Sequence, residues 1–156
     1  MRSNVNIIEE FIKSKNINAE ILRFKGKVIS VDMASKVSGF PKDKIIKTLI
    51  VIADGKPYAI LLSGDKMLDY SKLRKLLKCK KVRLARREEV MKVTGFDVGE
   101  VSPLSPSLEH IPKVADSNIL SKDIVLIGGG SHYALIKIRT EELIRAISPI
   151  IADVSK

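Results

Sequence analysis

Apolar residues stand at positions 5, 7, 8, 11 and 12, a helical stripe that predicts an amphipathic helix over Asn4 to Lys15. Ala19 to Phe24 is a short strand candidate. Ser30 can cap a helix running to Val37, because its hydroxyl can accept an orphan amide hydrogen of the first turn. Gly39 and Pro41 end that helix, and Pro41 opens a turn or short helix. The strongest β pattern follows in KTLIVIADGKPYAILLSGD, two apolar runs split by the hairpin dipeptide Asp54-Gly55. Neither run alternates. Both faces of their sheet are therefore expected to be covered, with helices packed on it.

Asp69 to Lys78 predicts a basic helix with Leu73, Leu76 and Leu77 on its inner side. A brief strand at Val82 to Ala85 precedes a helix from Arg86 to Val93 that Gly95 stops. The segment FDVGEVSPLSPSLEHIPKVAD then shows no period, three prolines and two Ser-Pro pairs. Long irregular segments inside a small domain are often functional. Strands are expected at Val114 to Asp116, Ile124 to Ile127 and Tyr133 to Ile138, and Thr140 is expected to cap a last helix, Glu141 to Ile147. No linker or internal repeat interrupts the chain, so residues 1–156 read as one α+β domain with a mixed, largely covered β-sheet and surrounding helices.

Composition adds limits. With 156 residues, 45% hydrophobic and 29% charged, the chain can bury one core. Its apolar runs are far shorter than the roughly 20 residues that span a bilayer, so no membrane partner is expected. MRSNVNIIEEFIKSK carries acids directly after its apolar patch and reads as a helix rather than a signal peptide. The single Cys79 excludes an internal disulfide, which fits a cytoplasmic protein.

Charge changes the picture more. Lys and Arg number 28 against 18 Asp and Glu, a formal +10, which favours polyanions such as nucleic acid. A Lys-rich, Ile-rich surface short of acids is the other reading. Lys72, Arg74, Lys75, Lys78, Lys80, Lys81, Arg83, Arg86 and Arg87 fall in one short run with no acid among them. Such a run can neutralise phosphates by counterion release; a solvated helix face is its alternative.

Candidate chemistry narrows by elimination. In VLIGGGSHYALIKI the glycines are followed by Ser131-His132 and a strand, not by the Lys-Ser/Thr and helix of a phosphate loop. The dinucleotide fingerprint would need a glycine where Tyr133 stands. What remains is a hairpin-like connection whose N–H groups can converge on an anion or carbonyl, or simply a turn using positive φ. His110, His132 and Cys79 have no ligand-like spacing, so no metal and no cofactor are expected. Lys78 and Lys80 would favour a Cys79 thiolate, but no histidine is close in sequence. No Ser–His–acid order is recognisable, and 4% aromatics offer few base-stacking platforms.

Three separated segments, IIKTLIVI (45–52), TGFDVGEVSPLSP (94–106) and IVLIGGGSHYALIKI (124–138), together resemble the YbaK/ProX family of aminoacyl-tRNA deacylases. That family also occurs as the editing insertion of bacterial prolyl-tRNA synthetases, and the resemblance covers essentially the whole chain. It implies that Lys47 lies by the terminal adenosine and its phosphate. It implies that the loop Gly99-Glu100-Val101-Ser102-Pro103 holds the aminoacyl carbonyl through its backbone, giving Gly99, Ser102 and Pro103 site roles. Gly128, Gly129 and Gly130 match the glycine loop of the opposite wall, and His132 matches a histidine that only some members carry. Members that hydrolyse cysteinyl-tRNA commonly have other residues there, so alanine or another small amino acid stands beside cysteine as the expected substrate.

The implied reaction is hydrolysis of a misacylated tRNA, most simply a small amino acid such as Ala or Cys on tRNA(Pro). Water attacks the ester, backbone N–H groups, chiefly those of Gly129 and Gly130, stabilise the oxyanion, and the ribose hydroxyl assists. Size selection would make the site the second sieve of an editing pair. Lys72, Lys75, Lys78, Lys80, Lys81, Arg83, Arg86 and Arg87 are the candidate tRNA contacts, through phosphates rather than base edges. Aminoacyl-tRNA and a cognate aminoacyl-tRNA synthetase are the expected partners. A non-catalytic tRNA- or synthetase-binding module is the alternative function, and a small-nucleotide-binding protein ranks third.

Overall fold

A computed structural model describes residues 3–156. Three helices begin where the sequence supplies side-chain acceptors for the first-turn amides. Ser3 Oγ accepts from Asn6 N–H (3.1 Å) at α1 (Asn4–Ser14), and Ser30 Oγ from Met33 N–H (3.1 Å) at α2 (Val31–Ser38). Asp69 Oδ1 accepts from Lys72 N–H (3.1 Å) at α3 (Tyr70–Leu77). Helices α2 and α4 (Arg87–Thr94) end on Gly39 and Gly95 in the left-handed region. The expected cap of α5 (Thr140–Ile147) is corrected by one residue. Thr140 is already helical and its Oγ1 has no partner among the described residues, while Arg139 stands at the cap position.

The Asp54-Gly55 hairpin joins β2 (Ile46–Ala53) to β3 (Lys56–Ser63) in full antiparallel register. With β4 (Val82–Leu84), β5 (Lys113–Asp116) and β8 (Ile150–Ala152) they form a five-stranded mixed sheet of order β4-β2-β3-β5-β8. Strand pairs β3/β5 and β5/β8 are parallel and the others antiparallel. Strands β1 (Ala19–Arg23), β7 (Ala134–Arg139) and β6 (Ile124–Ser131) make a second, antiparallel sheet of order β1-β7-β6. An isolated bridge between Ile45 and Leu126 links the two sheets.

Both faces of the larger sheet are covered, for a reason visible in β2 and β3. Ile50, Ala59 and Leu61 join one apolar cluster, while their neighbours Val51, Ile60 and Leu62 join another. Leu73 of α3 covers the second face. The first face packs on the inner side of the smaller sheet (Val125, Ile127, Ile136, Ile138) together with residues of α1, α4 and α5. So the expected helix layer is, on that side, largely a sheet. Strand β8 has no counterpart in the sequence pattern, and its Ile150 and Ile151 remain exposed. No helix among the described residues is long and apolar enough to cross a membrane.

One expectation about an irregular region changes. The sequence pattern puts the glycine run in the connection between strands, but Gly128–Gly130 continue β6 through a register irregularity, and the turn is His132-Tyr133. Part of the proline-rich segment packs inward: Val101, Ser102, Leu104 and Ser105 are all buried.

Candidate active site

Strand β2, α2, the loop after Gly95 and strand β6 converge on a cavity of about 220 Å³. Lys47 and Thr48 come from β2, Val98, Gly99 and Val101 from the loop, and Gly128 from β6. Apolar residues of α2 and the segment before it, such as Val31 and Ile29, complete the lining; Ile29 and Val98 are exposed at its rim. The bridge at Ile45, two residues before Lys47, ties the start of β2 to β6 and so fixes the distance between the two walls.

Lys47 is half-buried, and among the described residues its ammonium makes no hydrogen bond or ion pair. Burial pushes its pKa below the usual lysine value, and the Asp65 carboxylate acts against that shift. A cation lacking a partner beside an apolar cavity is an attractor for an anion. Thr48 Oγ1 is likewise buried without a partner. Sequence reasoning did not single out Thr48; its only signal was adjacency to Lys47 on the same strand.

The opposing wall is shaped by two glycines that must be glycine. Gly99 adopts φ +88°, in the left-handed region. A methyl group on Gly128 would overlap the Val101 carbonyl oxygen, so backbone packs directly on backbone there. The N–H groups of Gly99 and Val101 have no partner among the described residues.

Other residues expected at the site stand back from the cavity. Ser102 is fully buried and its Oγ accepts the Leu104 N–H at 3.2 Å. Pro103 borders a separate cleft with Phe11 and Lys113. Gly129 is packed against the Ala134 carbonyl, where a methyl would come within 2.7 Å of the oxygen. Gly130 corrects an expectation: its N–H is donated to the Glu100 carbonyl oxygen (3.0 Å) rather than left for a ligand. Its α-carbon faces Ile8 and Phe96, on the core side.

His132 lies behind the wall. Its Cε1 is 3.7 Å from where a methyl on Gly99 would sit, and its side chain is 19% exposed. Nε2 lies 3.7 Å from Asp97 Oδ2 and 3.9 Å from Glu100 Oε2, while Nδ1 is buried without a partner among the described residues. The three residues could each offer one ligand atom to a metal ion, within 4.8 Å of one another. Both carboxylates are already engaged by protein donors. Asp97 is gripped by Arg87 through Nε (2.7 Å) and Nη2 (2.7 Å), which holds its carboxyl below the usual range, and Glu100 accepts from Asp97 N–H (3.2 Å).

The basic run looks different in three dimensions, because acids that follow it in the chain pair with four of its nine cations. Lys72 Nζ binds Asp153 (2.9 Å) and the Ser155 carbonyl (2.7 Å). Arg83 grips Glu89 through two bonds (2.7 and 2.9 Å), Arg86 pairs with Glu88 (3.0 Å), and Arg87 with Asp97. The side chains of Lys75, Lys78, Lys80 and Lys81 have no partner among the described residues. Lys80 and Lys81 are pinned by their backbone N–H groups to the Asp54 carboxylate at the hairpin tip (2.9–3.1 Å). That is the end of β2 opposite Lys47, roughly 20 Å away at the strand rise of about 3.3 Å per residue.

Known proteins match this arrangement. The aminoacyl-tRNA editing domain model matches residues 27–146, which include the whole cavity and the basic run. Proline–tRNA ligase of Geobacter sulfurreducens is 37% identical over 86 residues, covering 55% of this chain and 15% of the ligase. The ligase of Nitratidesulfovibrio vulgaris is 39% identical over 102 residues, 65% of this chain and 17% of the ligase. The chain thus corresponds to under a fifth of the length of these curated relatives. Among solved structures, the hypothetical protein APE2540 superposes with a TM-score of 0.88 at 36% identity, covering 96% of this chain and 99% of that one. A candidate trans-editing enzyme for prolyl tRNA synthetase superposes with a TM-score of 0.92 at 23% identity, over 100% and 99% of the two chains, and shares the fold. From the lysine strand to the glycine wall, this chain belongs to the aminoacyl-tRNA editing domain family, of the YbaK type.

Proposed function

We propose that the protein is a trans-editing hydrolase that deacylates misacylated tRNA, with a small amino acid such as Ala or Cys on tRNA(Pro) as its substrate. The observation that carries this reading is the unpartnered, half-buried Lys47 ammonium at the edge of a small, glycine-walled cavity. An aminoacyl ester is activated, so positioning and charge stabilisation suffice without a protein nucleophile. Lys47 attracts the phosphate next to the terminal adenosine. The acyl group enters the cavity, with its carbonyl oxygen toward the free N–H groups of Gly99 and Val101, which take the place expected from the sequence for Gly129 and Gly130.

Water adds to the ester carbonyl carbon, and the negative charge collects on the carbonyl oxygen. Collapse breaks the bond to the ribose oxygen, which takes up the proton, releasing the free amino acid and the tRNA hydroxyl. The neighbouring ribose hydroxyl, by the family resemblance, assists the proton movement. The cavity's size supplies the selection: a small side chain fits and the cognate one is excluded. Lys75, Lys78, Lys80 and Lys81 meet acceptor-stem phosphates, and prolyl-tRNA synthetase is the partner whose errors are removed. Residues 1–156 act as one editing domain in the cytoplasm, where charged tRNA is used.

The test is a deacylation panel on tRNA(Pro) carrying alanine, cysteine, serine, threonine or proline. Loss of at least one small-amino-acid ester, with prolyl-tRNA(Pro) spared, is expected. Salt-sensitive tRNA binding without turnover of any ester would overturn the reading in favour of a binding module.

A further inference from the structure

Gly130 and His132 follow the cavity wall in sequence, yet neither lines the cavity, and one residue joins both to it. Glu100 accepts three hydrogen bonds from three directions. Its carbonyl oxygen takes the Gly130 N–H (3.0 Å), Oε2 takes the His132 N–H (3.1 Å), and Oε1 takes the Asp97 N–H (3.2 Å). The first two cross from the loop to the β6–β7 hairpin, and the third closes the loop on itself around Gly99. On one side of this junction the Val101 carbonyl rests on Gly128. On the other, the His132 ring backs the Gly99 α-carbon, between the carboxylates of Asp97 and Glu100. Asp97 is in turn fixed by Arg87 of α4.

We propose that Glu100 is a positioning residue: it clasps the Gly99 wall of the cavity to the β6–β7 hairpin, and His132 acts on the substrate only through Gly99, as a prop. This rests on the deacylase reading and deepens it. Gly99 holds a left-handed conformation with an N–H that has no partner among the described residues, and the bonds that close its turn, Glu100 N–H to the Asp97 carbonyl (3.0 Å) and Asp97 N–H to Glu100 Oε1, run through Glu100 itself. A wall that must present N–H groups to a reacting carbonyl needs that support, since a misplacement of about 1 Å costs about 100-fold in rate. The charged groups facing the imidazole are Asp97 and Glu100, with Arg87 behind Asp97. No proton path from the ring to the cavity is required.

The decisive measurements separate the clasp from the activity. In amide hydrogen exchange without tRNA, Glu100→Ala is expected to speed exchange at Gly130 at least about tenfold, while β2 and β3 amides are unchanged. Alanine keeps the carbonyl that Gly130 uses, so faster exchange reports the wall moving away rather than a deleted acceptor. On a hydrolysed ester, Glu100→Ala is expected to lower kcat about 10- to 100-fold with KM within about threefold, because KM is held by phosphate contacts. Glu100→Gln, whose amide oxygen can still accept from His132, recovers part of the loss. Glu100→Ala and His132→Gln together are expected to be no worse than about twofold below the poorer single variant. The pH–rate profile of His132→Gln keeps the wild-type shape.

Unchanged Gly130 exchange in Glu100→Ala, additive losses in the double variant, or a missing titration limb in His132→Gln would each overturn the proposal. If Glu100→Ala does not fold, Glu100→Gln is read in the same way, with an expected acceleration of about threefold at Gly130. If the wild type hydrolyses no ester, the deacylase reading fails while the exchange data still judge the clasp.

Discussion

Lys47 and the run from Lys72 to Arg87 are the two cationic regions of interest, and folding treats them in opposite ways. In the sequence the run is conspicuous and Lys47 is one lysine among many. In the structure Lys72, Arg83, Arg86 and Arg87 are each paired with an acid that lies outside the run, whereas Lys47 is half-buried and forms no ion pair among the described residues. Sequence clustering counts charge without its partners. A site is marked instead by charge that burial makes costly and that no ion pair neutralises. Exposed pairs such as Arg86–Glu88 contribute little and can exchange for phosphate; Lys47 lines the cavity with no such pair to exchange among the described residues.

The sharpest way to break that contrast is to remove Lys47. Lys47→Met is expected to lower kcat/KM about 10- to 100-fold, the size of one charged interaction, measured on the ester that the wild type hydrolyses best. Stability should move the other way. The lysine's folded pKa lies below its unfolded one, so the charged form is penalised by folding at pH values below both. That penalty disappears as pH rises through the lowered value toward the ordinary one of 10.5. Lys47→Met should therefore have a thermal midpoint at or slightly above wild type at pH 7. The contribution of Lys47 to tRNA binding should fade with rising pH earlier than an exposed lysine's would.

The wall opposite Lys47 is expected to be nearly as sensitive, for a steric reason. Gly128→Ala puts a methyl group into the Val101 carbonyl, backbone that can move only with the whole loop. Overpacking of this kind costs about 1–3 kcal/mol, and a thermal midpoint lowered by several degrees is the check. The same shift displaces Gly99 and Val101, so activity should fall further than stability alone explains. Wild-type activity in Gly128→Ala would separate the wall from the chemistry.

What the sequence made legible follows from how local each signal is. The cap at Ser30, the stop at Gly95 and the Asp54-Gly55 hairpin are decided within a few residues, and all appear in the structure. The two-sided burial of β2 and β3 was readable from their unbroken apolar runs. The division into two sheets, strand β8 and the burial of the proline-rich loop depend on long-range pairing, which leaves no local pattern. At the cavity, Lys47 and Gly99 were legible through the family resemblance, and the structure brings them together with Gly128. Thr48 and Glu100 were not, because an orphan hydroxyl and a triple acceptor are properties of the neighbours, not of the residue. The direction of the Gly130 N–H was missed for the same reason.

Within the basic run, the difference between unpaired lysines and paired arginines can be measured directly. Lys80→Ala with Lys81→Ala should weaken tRNA binding and flatten its salt dependence by about 1.5 to 2 in slope, close to one unit for each phosphate no longer neutralised. Arg83→Ala with Arg86→Ala removes the same formal charge from cations that Glu88 and Glu89 already engage. A slope change below about 1 is expected, from binding titrations at several salt concentrations. Equal slopes for the two double variants would show that the ion pairs open freely to the nucleic acid.

Glu89→Gln tests the same idea from the acid's side, with the smallest expected effect. Glu89 is held near a pKa of about 2, chiefly by its hydrogen bonds with Arg83 and then by the Arg86 N–H. Its folded pKa is depressed, so what it adds to stability is complete above its ordinary value of 4.5 and is lost as pH falls toward about 2. At neutral pH the substitution therefore removes that contribution in full, and the difference in thermal midpoint from wild type should shrink as pH falls toward about 2. It also releases the Arg83 guanidinium. If pairing is what keeps Arg83 from phosphate, Glu89→Gln should tighten tRNA binding by a factor of about 2 to 3 and steepen the salt slope by less than about one unit. Weaker binding would mean instead that the Arg83–Glu89 pair holds β4 and α4 in the shape the tRNA needs.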